Sequence, residues 1–395
     1  MDVTVDNLGN VIIVGYTKGN LDSKTLTGIT DAFIIKYSAS GMKQWTKLIG
    51  ASGGDTAALA VSTDESRNIF FTGYTTAALP SNQQLGSYDL FVAKYNESGD
   101  QIWIKQIGIA GEITQGSDIT IGSSGNPIVV GTTSGDLFRS PKVGDSDFFL
   151  IEYNSIDGTQ NWIKQSGVSG KATYGNALAV SATGEIYITG WSDGSLDETT
   201  QTQGKSFCFL QKYNEDPTHT LAWTKMLGDS TAQNTIGLSI ALDATGNSYI
   251  AGYTEGSLYE NSKKGTSDGF TAKYDSDGNR TWIDQVGDTN SETRFNQLRV
   301  KSNGEIFISG STFGSLGEKF GSPDAFILKY KTNGSRDWIN QFGVPGKITD
   351  GFSLALDLSG DVYIAGYTQG ALVGTAPYGT FDFYIKKYNN SGTAY

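Results

Sequence analysis

Seven glycines, Gly15, Gly73, Gly131, Gly190, Gly252, Gly310 and Gly366, each close a short apolar run and recur at intervals of 58, 58, 59, 62, 58 and 56 residues. The same period returns in Tyr37, Tyr95, Tyr153, Tyr213, Tyr274, Tyr330 and Tyr388, and again in Trp45, Trp103, Trp162, Trp223, Trp282 and Trp338. Three landmarks in one register restrict the chain to an architecture assembled from seven copies of one unit. Length alone, 395 residues, admits two or three unrelated domains. The repeat instead predicts a single domain of seven units, near 1–54, 55–112, 113–171, 172–232, 233–291, 292–347 and 348–395.

Each unit holds four short runs, here called strands A to D, whose β-formers alternate or cluster as in half-buried strands. In the sixth unit they read NQLRVKS, EIFISGS, DAFILKY and DWINQFG. Tight links such as NLGN, SSGN, ATGN or LSGD join A to B, and SASG, DSDG or KTNG join C to D. Gly or Asn in such links tolerates positive φ, so each closes a hairpin. Helix-period segments with caps are missing. With aromatic residues at 12% of the chain, there is enough apolar surface for a real core. A four-stranded sheet cannot bury both faces alone, but sheets packed radially can. The chain is therefore predicted to be all-β, a seven-bladed β-propeller of four-stranded antiparallel blades. A solenoid of stacked hairpins is the rival, and 58 residues per unit is long for one of its coils.

The runs DVYIAGYT and DAFILKY, followed by a glycine turn and Trp, resemble the bacterial β-propeller repeat family SBBP. Its units read roughly as aliphatic-Asp, Gly-Asn, V-Y-V-T-G, D-A-F-V-x-K-Y and Gly-x-x-x-W. The resemblance extends over essentially the whole chain and implies the propeller fold. It also implies a secreted, cell-surface or periplasmic setting, since such repeats occur in surface-associated bacterial proteins of diverse role. Asp31, Asp89, Asp147, Asp268, Asp324 and Asp382 fit the pattern, whereas Ser206 departs from it, so blade 4 is expected to differ locally.

The formal charge of −12 argues against a broad phosphate-binding face, so nucleic acid is excluded as a partner. No run of 18 apolar residues and no basic-apolar leader at Met1 is visible, so neither a membrane span nor a signal peptide is expected. The one cysteine, Cys208, lies between Phe207 and Phe209 and reads as a buried thiol. The one histidine, His219, sits in a DPTH insertion, which leaves no material for a His-based triad or His-rich metal site. Nucleophile-elbow, zincin and Walker patterns do not occur, and no catalytic residue is assigned. DSDGNRTW, ending at Trp282, looks like a sialidase box, but its spacing fails and it reads as an ordinary C to D turn. Asp275 with Asp277, and Asp145 with Asp147, are weak candidates for Ca²⁺, and turn formation explains both pairs. No other metal or cofactor is expected.

In such a blade the A–B and C–D links share one face and the B–C and D–A links the other. The B–C links are long and differ in every blade, as in TKGNLDSKTLTGIT, TSGDLFRSPKVGDS and TQGALVGTAPYGTF, so the binding face is expected there. Just after each strand B glycine come Tyr16, Tyr74, Thr132, Trp191, Tyr253, Ser311 and Tyr367, an aromatic ring in five blades. These rings serve either a ligand or blade packing, and Trp191 is expected to be the most exposed. Asp55, Gln115, Asn176, Asn234, Arg294, Asn296 and Asp350 are expected to lead into strand A and to line the mouth of a central channel, as binding groups or as solvated rim. The repeated Tyr of strand C and Trp of strand D are assigned to packing.

The last unit stops at Tyr395 before its Trp, so blade 7 is expected to lack strand D. Either the residues are a piece of a longer polypeptide, or Asp382 to Tyr388 form an open edge. Asp382, Phe383, Tyr384, Lys386 and Tyr388 would then accept a strand from a partner or a second copy, while Lys386 and Lys387 suit guarding the edge equally well. The functional expectation is a non-catalytic scaffold that binds protein or self-assembles. The alternatives are a lectin using the strand B aromatics and a carboxylate-dependent glycosidase or lyase.

Overall fold

A computed structural model describes residues 1–137, 141–229, 233–372, 374 and 377–395. It shows seven antiparallel sheets, six of four strands and a last one of three, each in chain order A-B-C-D or A-B-C, with no helix among the described residues. By internal contacts the chain divides into two compact units, Met1–Gly184 and Glu185–Tyr395. The first holds blades 1 to 3 and strand A of blade 4, and the second holds the remaining strands. Among the described residues no helix is long and apolar enough to cross a membrane.

The repeating strand B glycine has a steric cause. In blades 2, 3, 5, 6 and 7 strand A carries a bulge opposite it, for example at Ala58/Ala60 in blade 2 and Gly351/Ser353 in blade 7. The bulged backbone comes so close that a Cβ at Gly73 would lie 2.0 Å from the Ala57 carbonyl oxygen, and one at Gly366 1.8 Å from that of Asp350. Only hydrogen fits there. The bulge also explains a boundary that patterning missed. Strand A of blade 6 is Thr293–Val300 and starts three residues earlier than NQLRVKS suggests, because the extra residue breaks the two-residue alternation.

The apolar clusters lie between successive blades. Ile12, Val14 and Ile34 of blade 1 pack with Phe71, Phe91 and Tyr95 of blade 2, and Phe307 and Ile327 of blade 6 pack with Leu354, Ile364 and Tyr388 of blade 7. Two polar devices repeat at these junctions. The amide of the Thr that opens strand A donates to the carbonyl just before strand C of the preceding blade, as in Thr56 to Thr30, Thr114 to Tyr88, Thr235 to Ser206 and Thr349 to Pro323, at 2.7–3.0 Å. At the opposite end, the strand D Trp is covered by the C–D turn of the next blade. Trp45, Trp103 and Trp338 donate their indole N–H to the carbonyls of Glu97, Ser155 and Asn390 at 3.2–3.3 Å. The turn can lie flat on the ring because its glycine has no side chain and holds positive φ, +83° at Gly99 and +71° at Gly158. The packing role expected for the Trp series is thus seen together with the turn that covers it.

Cys208 is fully buried beside Thr189, and burial pushes its thiol up to about 12. A thiol reagent at pH 8 should leave the native protein untouched and label one site after unfolding, and labelling of the native form would contradict this burial.

Candidate functional site

The long B–C loops are held by a buried clamp. The Asp opening strand C accepts two loop amides, from Leu85 and Gly86 at Asp89 (2.9 and 2.7 Å) and from Phe320 and Gly321 at Asp324 (2.7 and 2.6 Å). A strand D Gln completes it. Gln106, Gln165, Gln285 and Gln341 donate to Asp89, Asp147, Asp268 and Asp324 at 2.8–2.9 Å and to a loop carbonyl, while each side-chain oxygen accepts an amide from Leu79, Leu137, Leu258 or Leu316. These four Asp are fully buried, and hydrogen bonds from amide donors are what make a buried carboxylate tolerable. Blade 4 changes both partners at once, with Phe207 at the Asp position and Met226 at the Gln position; the expectation that Ser206 replaces the Asp is corrected, because strand C of this blade begins at Phe207 and Ser206 is the residue before it.

Three of the proposed residues, Tyr16, Tyr74 and Asp55, meet at the rim of blades 1 and 2. The hydroxyl of Tyr74 is pushed above its ordinary range, first by burial and then by Tyr88, Tyr16 and Asp55, so these groups share one neighbourhood. The rings of Tyr74 and Tyr88 lie 5.1 Å apart, tilted by 58°. Thr30 donates to Asp55 at 2.5 Å, and Tyr88 bridges to Ile113. Tyr16, Ile29, Tyr88 and Ile113 are exposed, Tyr16 by 54%.

The expectation that Trp191 is the most exposed aromatic is corrected, because Trp191 is half-buried and Tyr16 is the open one. In blades 2 and 7 the residue before strand C supplies cover. Tyr88 in blade 2 and Phe381 in blade 7 pack on Tyr74 and Tyr367, whereas blade 1 has the short Thr30 there. The placement of the polar set is corrected too. Only Asp55 and Asn234 precede strand A; Gln115, Arg294 and Asp350 are second residues of their strands, and Asn176 and Asn296 are fourth.

The remaining aromatic positions are covered. The Arg294 guanidinium lies 4.6 Å over the Tyr253 ring and 3.4 Å from Glu292, and Asn234 donates to Glu255 at 2.8 Å. Tyr367 is flanked by Phe352 and Phe381, with centroids 5.1 and 4.9 Å away. Asp350 offers its carbonyl to the Tyr384 hydroxyl at 2.9 Å. On the turn face, Lys329, Asp337, Trp338, Asp361, Asn389, Asn390 and Ser391 line an open groove of about 670 Å³. Part of the B–C loops of blades 3 and 7, at 138–140, 373 and 375–376, lies outside the described residues.

Strand C of blade 7, Asp382–Tyr388, is the outermost strand of its sheet. Its far end is paired by the tail, through a bridge from Tyr388 to Ala394 and a bond from the Tyr395 amide to the Lys387 carbonyl at 3.0 Å. Lys387 reaches Asp357 and Asp361 at 3.2 and 3.0 Å, and Lys386 lies 4.4 Å over the Phe342 ring. Both lysines are engaged within the fold.

Two signals went unread in the sequence. Thr56, Thr114, Thr235, Thr293 and Thr349 each meet a second Thr nineteen residues on, in hydroxyl contacts of 2.9–3.2 Å that tie strand A to the end of strand B. The clamp Gln falls three residues after each strand D Trp in blades 2, 3, 5 and 6, a spacing visible beside the Trp period.

The profile of the β-propeller repeat family SBBP matches residues 44–79, 161–197, 222–260 and 337–372. Each stretch runs from strand D of one blade through strands A and B of the next, so the sequence repeat is offset from the blade. A WD repeat-containing protein of Acanthamoeba polyphaga mimivirus, L264, itself uncharacterized, is 26% identical over 373 residues, 72% of this chain and 26% of its own length. The regulatory protein FlaEY of Caulobacter vibrioides is 26% identical over 142 residues, 33% of this chain and 15% of its own length. The chain thus spans about a quarter or less of these relatives. Among solved structures, a streptogramin B lyase aligns with TM-score 0.52 and 11% identity, covering 92% of this chain and 89% of the lyase. The polysaccharide lyase Uly1 aligns with TM-score 0.53 and 11% identity, covering 98% and 89%. At such identities the likeness is one of fold.

Proposed function

We propose that this chain, a β-propeller repeat protein of the SBBP type, is a non-catalytic scaffold that docks a protein partner on the loop rim of blades 1 and 2. The observation that carries this reading is the exposed cluster of Tyr16, Ile29, Tyr88 and Ile113 near Tyr74, with the loop leading to Ile29 held by Asp31 and the loop leading to Tyr88 held by the Asp89–Gln106 clamp. Contiguous apolar surface rimmed by polar groups marks interaction sites, and Tyr is enriched at the centres of interfaces. A pre-fixed rim also loses little conformational freedom on binding.

A lectin would need open ring faces. Tyr253 lies under Arg294 and Tyr367 between two Phe, which leaves Tyr16 as the one exposed member of the strand B aromatic series. That geometry favours a protein over a ring of sugar platforms. The enzyme reading needs two converging carboxylates; the Asp357 and Asp361 pair is tied to Lys387 in an ion-paired group. A setting outside the cytoplasm is part of the proposal and follows from the family resemblance.

The test compares Tyr16→Asp combined with Ile29→Asp against Met42→Asp on the turn face, in capture of partners from the native source and on a glycan array. The rim variant should lose at least tenfold of one defined protein's capture while Met42→Asp retains it, a charge at an interface centre costing about 2 kcal/mol or more. Equal capture by both variants, or a glycan signal lost with Tyr16, would refute the proposal.

A further inference from the structure

We infer that the junction between strands D of blades 4 and 5 is a binding site for a carboxylate group, held by Arg280 and Lys225, and independent of the rim. Two other blades show how a cation that opens strand D is matched. In blade 6 it is Arg336, opposite Tyr330, whose guanidinium holds both oxygens of Asp284 from strand D of blade 5 at 2.6 and 2.8 Å. The Tyr330 hydroxyl donates to the same carboxylate at 2.9 Å. In blade 1 the cation is Lys43, paired with Asp22 of its own B–C loop, seven residues after Gly15.

Blade 5 has the cation and neither carboxylate. Arg280 opens its strand D opposite Tyr274. The Asp284 position, two residues after the strand D Trp, is Lys225 in blade 4, and the Asp22 position, seven residues after the strand B glycine, is Tyr259. The same pair of strand D positions holds Lys47 with Gln101 and Lys105 with Gln160 in the junctions of blades 1 to 3, one charge each, so two cations meet only between blades 4 and 5 among these. Lys225 runs along the Gly278 turn, where an added Cβ would lie 2.6 Å from its Cε, two residues before Arg280. Neither cation forms a salt bridge with the described residues, and Arg280 Nη1 is buried without a hydrogen-bond partner. The Tyr259 ring lies 3.1 Å from the guanidinium carbon, which covers one face of the fork and leaves its edge as the donor surface. The Tyr274 hydroxyl is pushed up first by burial and then by Cys208 and Tyr259, and Arg280 opposes the rise, as Arg336 does at Tyr330. Asp275 acts on Lys225 from the C–D turn, but its oxygens already accept the Asp277 and Asn279 amides and the Asn279 side chain at 2.7–3.0 Å. A buried donor without an acceptor and two unmatched cations are each costly, and a planar carboxylate placed as Asp284 is would relieve both.

The experiment labels the arginines of the full chain isotopically and follows their Nε–H signals by NMR as glutarate, the peptide acetyl-Gly-Glu-Gly-amide or inorganic phosphate is added. The Arg280 signal, assigned from Arg280→Lys, should shift saturably with a carboxylate, while that of Arg336, already matched by Asp284, should stay in place. Binding of glutarate and peptide alike marks a small carboxylate as sufficient, and binding of the peptide alone marks an acidic side chain of a polypeptide; both support the site. Lys225→Gln should weaken binding about tenfold. Lys225→Asp, which recreates the Asp284 arrangement, should abolish binding and move the ligand-free Arg280 signal toward that of Arg336. An unchanged Arg336 signal in each variant reports an intact fold. No saturable shift at Arg280 with either carboxylate, tighter binding of phosphate than of both, or undiminished binding in Lys225→Asp would overturn the inference. Rim variants at Tyr16 and Ile29 should bind the carboxylate normally, which separates this site from the proposed docking face.

Discussion

Replacing Asp89 by Ala should destabilise the protein by about 3 kcal/mol and release the loop that carries Leu85 and Tyr88, because three buried donors lose their acceptor at ~1 kcal/mol or more each. The donors are the amides of Leu85 and Gly86 and the side chain of Gln106. Chemical denaturation gives the stability change, and amide exchange at Gly86 reports the loop. Gln106→Leu alone should cost less, since blade 1 keeps Asp31 with Leu48 opposite Phe33 at the Gln position. The two substitutions should couple by about 1 kcal/mol or more, because they share one hydrogen-bonded group. Blade 4, with Phe207 and Met226 at these two positions, is the version of this double change already present in the chain. Additive costs for Asp89 and Gln106 would show that the clamp does not act as a unit.

Trp103→Ala should cost about 3–5 kcal/mol, the range for a large aromatic removed from a packed interior. The ring is buried, lies 6.1 Å from Phe70, and donates to Ser155 in the next blade. Its loss therefore strikes the junction of blades 2 and 3 as well as blade 2. Gly158→Ala attacks the same contact from the other side, since a Cβ there meets Trp103 at 2.8 Å and Gly158 sits at φ +71°. The two substitutions together should cost less than the sum of their separate effects, because the first removes the ring that the second would strike. A loss below ~1 kcal/mol for Trp103→Ala would place the strand D Trp outside the junctions that hold successive blades together.

The blade architecture was legible because its signals are local and repeat. A glycine forced by the bulge, a Trp under a glycine turn and an Asp at the start of strand C each recur near every 58 residues, so period alone exposes them. Strand A was harder to place, since the bulge that demands the glycine also breaks alternation, and Arg294 and Asp350 moved inside their strands. Exposure at the rim was not legible at all. Tyr16 and Tyr74 occupy equivalent positions, and what separates them is one residue before strand C, Thr30 against Tyr88, whose effect depends on packing across the hairpin. Trp191 attracted attention by breaking a pattern, yet a change of residue type carries no information about cover. The Gln of the clamp was visible beside each Trp, but its meaning required the loop amides that it meets in space.

These features describe a framework whose loops are fixed from beneath and which exposes Tyr16, Ile29 and Tyr88 on the rim of blades 1 and 2. The most direct test of that account is site-specific photocross-linking in the native source, with benzoylphenylalanine replacing Tyr16 in one protein and Met42 in another, and adducts identified by mass spectrometry. The account predicts a recurrent polypeptide adduct from position 16 and none of the same identity from position 42. Adducts of one polypeptide from position 42 alone, or none from position 16, would contradict it.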